Sequence, residues 1–309
     1  MNKHPTALLA HLALAAVALF YVLNYFVLKP VFATGINSFA VLAIRCALTA
    51  GFFWGYHALF VRERIRERRD FGRLLLAAFF GVSVNQTFFL WGLSLTSRVN
   101  ASVLMILTPV FVFLAAWVLR EERFSLRTLS GLIISFAGAL GLILSGSDQT
   151  FQVGGATISG DLMIMVNAAS YGLYLVFVRP LVQKYNTFTI IKWLFLFGSI
   201  PNILIGIVPL SQVPTGIFTT EVILRIGFLI VFATIGAYWL NAWAMKRLPS
   251  SAVGIYIYAQ PVFVTLLSAG LGMGEVTWLS IPFIFLIFAG VWLVSMRKPD
   301  HPPRQAKEL

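Results

Sequence analysis

The chain has 309 residues, of which 59% are apolar, 15% aromatic and only 11% charged, whereas an ordinary soluble domain is about a quarter charged. That composition excludes a soluble globular enzyme and places the chain in a bilayer. A formal net charge of +12 would suit a nucleic-acid binder, but the positions of the basic residues, given below, exclude that reading.

A bilayer core of ~30 Å needs roughly 20 apolar residues per helix. Ten such helices are predicted, at 7–28, 37–60, 72–95, 99–119, 126–145, 160–179, 188–209, 222–245, 250–271 and 278–296. The first run is too long for the core of a cleavable signal and leads directly into further spans. It carries Asn24 at mid-depth. The second holds Arg45 and Cys46, the single cysteine, so no intrachain disulfide can form. It also holds "GFFWG" from Gly51 to Gly55, a small-residue stripe expected to pack on another helix of the same chain, consistent with a monomer. The loop that follows, "VRERIRERRD", interleaves Arg with Glu63, Glu67 and Asp70 and reads as a solvated cytoplasmic segment. The third helix offers Asn85, Gln86 and an interfacial Trp91, and the fourth breaks at Pro109, preceded by Thr108. "NQT" at Asn85 and "NAS" at Asn100 match glycosylation acceptors by chance, since one lies in a span and the other in a very short loop.

The second half runs in parallel. The longest connection, "SGSDQTFQVGGATISG", is glycine-rich and leads to a sixth helix with Asn167, Tyr171 and Tyr174. Lys192 lies one turn inside the seventh and is expected to snorkel to the surface. Tyr238, Asn241 and an interfacial Trp243 lie on the eighth, and Tyr256, Tyr258, Gln260 and Pro261 on the ninth. The four histidines, His4, His11, His57 and His301, show no ligand spacing, so no metal or other cofactor is expected.

With the N-terminus inside, Lys3, Arg62, Arg64, Arg66, Arg68, Arg69, Arg73, Arg120, Arg123, Arg127, Arg179, Lys184, Lys246, Arg247, Arg297, Lys298, Arg304 and Lys307 all fall on the cytoplasmic side. Only Lys29, Arg98 and Arg225 fall outside, with Arg45 and Lys192 inside spans. This bias predicts a multi-pass protein of the cell membrane (inner or plasma) with both termini cytoplasmic.

Setting Pro109 on Pro261 aligns "WGLSLTSRVNASVLMILTPVFV" with "WAMKRLPSSAVGIYIYAQPVFV", and Phe136 to Gly138 then meets Phe288 to Gly290. "YVLNYFVLKP" from Tyr21 likewise falls on "YGLYLVFVRP" from Tyr171, and Asn37 answers Asn186. The expected fold is an all-α membrane protein of ten transmembrane helices in two five-helix repeats. Because five is odd, the second repeat is inverted, as in secondary transporters. The expected division is a first repeat over 1–148, an extracytoplasmic linker over 149–159, a second repeat over 160–298 and a cytoplasmic tail over 299–309. The two prolines fall near the midplane, where broken backbone is tolerated only against protein or a water-filled cavity.

"YVLNYFVLKP" with Arg45 resembles the first-helix "WGSNFVAIK" pattern and second-helix Arg of the EamA-type drug/metabolite transporters, with Tyr in place of the usual Trp. "TSRVNASVLMILTPVFVFLAAWVLREERFS" resembles the small-residue turn, Pro-containing helix and Glu-bearing loop of that family, and the pattern returns from Ser250 to Glu275. The resemblance covers essentially the whole chain. It implies ten helices, paired repeats and a central cavity, and it leaves the substrate open, because members export amino acids and other metabolites.

Every acidic residue falls in a loop or at a span end, and Glu122 and Glu275 are expected to stabilise the starts of the helices that follow them. A membrane-embedded carboxylate of the kind that exchanges protons for cationic cargo is absent from the sequence. Arg45 reads either as a charge that draws a carboxylate or other anionic group into the cavity or as an anchor bonded to helix-end carbonyls, and its family-typical position favours the anchor. The candidate cavity lining is Asn24, Arg45, Asn85, Gln86, Thr108, Asn167, Tyr171, Tyr238, Tyr256 and Gln260, with Pro109 and Pro261 as helix breaks. The expected partners are a small-molecule cargo and the lipid bilayer, with no nucleic acid. The expected function is alternating-access transport, by export or exchange, of a small neutral, zwitterionic or anionic metabolite such as an amino acid. A membrane sensor or receptor, or an intramembrane enzyme acting on a lipophilic substrate, is the alternative. The first lacks a signalling domain and the second a nucleophile–base pair.

Overall fold

Asn37 and Asn186 begin the second helix of each half in the same way. Each accepts a hydrogen bond on its side-chain oxygen from the amide two residues on, Phe39 N at 2.8 Å and Phe188 N at 2.9 Å, which satisfies one donor that the helix start leaves open. The computed structural model describes residues 5–96, 98–144, 157–271, 278 and 280–295, and every regular element among them is helical.

The helices are α1 (Pro5–Ala33), α2 (Ser38–Phe60), α3 (Arg68–Ala78, a π-helical turn Phe79–Val84, then Asn85–Leu95), α4 (Arg98–Met105, then Thr108–Val118) and α5 (Leu126–Leu144). The second half repeats the order. It comprises α6 (Thr157–Lys184), α7 (Thr187–Ser211), α8 (Thr220–Ile230, a π-helical turn Val231–Gly236, then Ala237–Met245), α9 (Ser250–Gly254, a 3-10 turn Ile255–Tyr258, then Ala259–Gly270) and α10 (Ser280–Ser295). Among the described residues, eight helices are long and apolar enough to cross a membrane, and the apolar helices Leu126–Leu142 and Ile281–Val294 are shorter. The two short helices are the fifth of each repeat.

Packing follows a two-fold relation between the halves. Helix α1 lies against α8 and α9, and α6 against their counterparts α3 and α4. Helix α3 meets α7 as α8 meets α2, while α2 packs on α7, α4 on α9 and α5 on α10, each on its own equivalent. The α5–α10 crossing is close because glycines face it from both sides. A Cβ on Gly138 would lie 2.9 Å from Ile287 N, and one on its counterpart Gly290 would lie 2.1 Å from Ser135 Oγ. Ser135 Oγ donates to Ile287 O across the same crossing at 3.1 Å.

The breaks in α4 and α9 are placed as the prolines require. Pro109 occupies the first turn of the second piece of α4, where its missing N–H has no helical partner to lose. Pro261 lies just inside the last piece of α9, after the 3-10 turn.

Three expectations change. "GFFWG" does not pack within the chain: a Cβ on Gly51 or Gly55 would meet nothing within 4 Å. Phe53 and His57, two residues further along, face α7 instead, which turns both glycines to the opposite side of α2. Lys192 does not snorkel. Its ammonium sits 3.0 Å from His57 Nδ1 and over the rings of Trp54 and Trp193 at 4.7 and 5.3 Å, so partners at its own depth replace water. Glu122 stabilises a helix start, but that of α9 in the other repeat: its carboxylate accepts from Ser251 N at 3.1 Å and Ser251 Oγ at 2.6 Å. Glu275, residues 145–156 and the tail lie outside the described residues.

One end of the bundle is tied together by polar contacts. Lys184 pairs with Glu67 at 2.6 Å and Asp70 at 2.7 Å, Tyr185 Oη donates to Asp70 at 2.7 Å, and Asn186 N donates to Glu63 at 2.7 Å. Burial pushes the Tyr185 hydroxyl pKa up, and its bond to Asp70 pushes it further.

Two predictions follow from these contacts. Glu122→Gln keeps the size of the cap and removes its charge. It should lower stability by about 1 kcal/mol, read as a lower Tm in detergent, without abolishing any pH dependence of transport. Pro109→Ala and Pro261→Ala each return a backbone N–H and let the helix run on. Monodisperse yield should hold while turnover in proteoliposomes falls by about tenfold or more; unchanged turnover in both would make the breaks packing features only.

Candidate functional site

A π-helical turn widens a helix by one residue and leaves carbonyls without their usual partners, and such turns recur at functional sites. Here both are braced by the opposite repeat. In α3, the carbonyl of Gly81 accepts from Tyr238 Oη, that of Val82 from Asn202 Nδ2 at 3.1 Å, and that of Asn85 from Asn167 Nδ2 at 2.8 Å. In α8, Arg45 Nε donates to Thr234 Oγ1 at 2.5 Å and an Arg45 terminal nitrogen to Ala233 O at 3.2 Å, while Thr234 Oγ1 donates to Leu229 O at 2.9 Å. The anchoring role of Arg45 is thus visible, and it falls on a π turn rather than a helix end.

Of the bracing side chains, Tyr238, Asn167 and Arg45 converge on one cavity of about 450 Å3 between the two halves, part of it open to solvent. Of the expected lining, Asn24, Arg45, Asn85, Gln86, Asn167, Tyr171, Tyr238 and Gln260 are there. Tyr256 lines a second, smaller cavity of about 210 Å3, and its hydroxyl lies 2.8 Å from His11 Nδ1. Thr108 lines neither, being fully buried with its hydroxyl turned to Met105 Sδ in its own helix at 3.9 Å. Met105, at the end of the first piece of α4, reaches the larger cavity in its place.

Tyr21, Tyr25 and Phe89 also line the larger cavity and were not among the expected site residues. Superposing the repeats by number would have found Tyr21, because it is the counterpart of Tyr171 and the two hydroxyls are 3.2 Å apart. Gln86 and Tyr238 are likewise counterparts, and Gln86 Nε2 donates to Tyr238 Oη at 2.9 Å. The axis that relates the halves therefore passes through the cavity.

Arg45 is the only charged residue in the lining, and among the described residues no carboxylate, thiol or imidazole joins it. Several buried polar atoms there have no hydrogen-bond partner in the protein: Arg45 Nη1, Asn24 Oδ1, Asn167 Oδ1, and both Gln260 Oε1 and Gln260 Nε2. Buried polar groups are nearly always paired, so a cluster of free ones marks a place built to bind something polar.

Residues 8–144 and 158–296 each match the EamA-like transporter family. The chain is 28% identical over 193 residues to an uncharacterized transporter of Archaeoglobus fulgidus, covering 62% of this chain and 65% of that one. A second uncharacterized transporter of the same organism is 27% identical over 231 residues, with 74% and 79% covered. A probable terminal-alkyne amino-acid exporter of Streptantibioticus cattleyicolor is 24% identical over 242 residues, 74% of each chain. A crystal structure of a protein at 18% identity superposes with a TM-score of 0.70 over 91% of this chain and 95% of the other, which shows the shared fold. The family pattern matches once in each half, over nearly all of both repeats, and the chain belongs to the EamA-like transporter family.

Proposed function

We propose that this transporter carries a small zwitterionic metabolite of the amino-acid type through the cavity on the axis, by export or exchange. The carrying observation is the set of buried polar atoms that the protein leaves free there. Arg45 Nη1 offers charged donors that suit a carboxylate oxygen, and the oxygens of Asn24, Asn167 and Gln260 offer acceptors in the number an ammonium group has hydrogens. The rings of Tyr21, Tyr25, Phe89 and Tyr238 supply apolar surface for the rest of the molecule. The amino-acid exporter among the relatives supports this class of cargo.

The lining supplies no carboxylate to exchange protons against a cation, which favours cargo without net positive charge. Both termini are proposed to face the cytoplasm, supported by the clustering of Arg and Lys between residues 62 and 73 and in the tail. The protein is proposed to act as a monomer.

Purified protein in liposomes loaded with a radiolabelled pool of L-amino acids tests the cargo. Release or counterflow of at least one member is expected, and the matched pool of decarboxylated amines should not be carried. Transport of the amines alone would refute the proposal. For the cargo taken, Gln260→Ala should raise KM by about tenfold while leaving the yield of folded protein unchanged. An unchanged KM would remove Gln260 from the site.

A further inference from the structure

The two cavities share three lining residues, Tyr21, Tyr171 and Gln260. From there the larger extends towards Asn24 and Tyr25 on α1 and Asn167 on α6, and the smaller towards Leu14 and Val17 on α1 and Val253 on α9. Along α1 they therefore lie on opposite sides of Tyr21. Between them stands a closed triangle of polar groups. Asn241 Nδ2 donates to Tyr21 Oη at 3.1 Å and to Tyr171 Oη at 3.0 Å, and the two hydroxyl oxygens are 3.2 Å apart.

Counting hydrogens shows what this triangle leaves over. The amide nitrogen has two, and both go to hydroxyl oxygens. One hydroxyl donates to the other. The hydrogen of that second hydroxyl has no acceptor inside the triangle. The larger cavity also holds the free donor of Arg45. A carboxylate drawn in by Arg45 has lone pairs for this spare hydrogen and for the one the tyrosines share, so it can take both and part the pair that holds α1 to α6.

We propose that Tyr21, Tyr171 and Asn241 form the gate between the two cavities, and that a cargo carboxylate releases it by accepting the hydroxyl hydrogen that the two tyrosines share. The release step rests on the zwitterionic-cargo reading above; the gate itself does not. The chemistry makes opening depend on loading, because an amine without a carboxylate has no acceptor to offer. Asn241 acts here as a positioning residue, since it holds both hydroxyls in place by donating to each.

Cysteine accessibility tests both parts in intact, reconstituted protein. With Cys46→Ala as background, Val17→Cys places a thiol in the smaller cavity, and an impermeant cationic methanethiosulfonate reagent is applied to each face of the vesicle in turn. In the parent, labelling should come from one face only. Tyr171→Phe, which preserves ring packing, and Asn241→Leu should each raise labelling from the other face by about tenfold. The L-amino-acid pool should do the same in the parent, and the decarboxylated amine pool should not. Unchanged labelling in both variants, at the monodispersity of the parent, would overturn the gate. Transport of the amino-acid pool without faster labelling would overturn the carboxylate's role while leaving the cargo reading in place. If the pool were not transported at all, the cargo reading and the release step would fall together, and the variants would still decide the gate.

Discussion

The structure depends on three places where a residue of one repeat bonds directly to its own counterpart in the other: Tyr21 with Tyr171, Gln86 with Tyr238, and Ser135 with Ile287. Such self-pairing can occur only where the axis relating the repeats passes between the two residues. Two of the three pairs line the larger cavity, so the cavity lies where the halves meet. An inverted repeat gives the two membrane faces nearly equivalent packings, and exchange between them opens one side as it closes the other.

Polar backbone exposed at that depth would be expensive in lipid, and the chain meets the constraint by crossing over. Each π turn is braced mainly by side chains of the other repeat, Tyr238, Asn202 and Asn167 on α3, and Arg45 on α8. A brace that spans the interface does two jobs. It satisfies the open carbonyls in this conformation, and it ties the geometry of the cavity to the relative position of the halves. The same Arg45 anchors the turn and keeps one nitrogen without a hydrogen-bond partner in the protein.

Much of this was legible in the sequence and some was not, for physical reasons. The apolar spans and the proline breaks are local, and each was readable from residues a few positions apart. Eight of the ten expected lining residues reach the larger cavity because polar groups in a lipid-spanning helix turn inward. Thr108 could satisfy its hydroxyl within its own helix, so polarity alone misplaced it. The π turns carry no residue signature, since Phe79–Val84 and Val231–Gly236 read as ordinary apolar helix. Lys192 and Glu122 depended on partners 135 and 129 residues away, which no local pattern reports.

The repeats are equivalent in backbone but not in polar contacts. The turn between α6 and α7 is tied to the α2–α3 loop through Lys184, Tyr185 and Asn186, whereas among the described residues no hydrogen bond or ion pair joins the equivalent α1–α2 turn to the α7–α8 loop. Exposed ion pairs are individually weak, so this tie is a modest asymmetry between the two halves. Alternation about the axis is measured most directly by inter-spin distances in two counterpart pairs on opposite faces, labels at Arg64 and Gln183, and labels at Ala33 and Gly216. On adding transported cargo, one distance should lengthen while the other shortens. Distances that both grow, both shrink or both stay fixed would contradict alternation between the two halves.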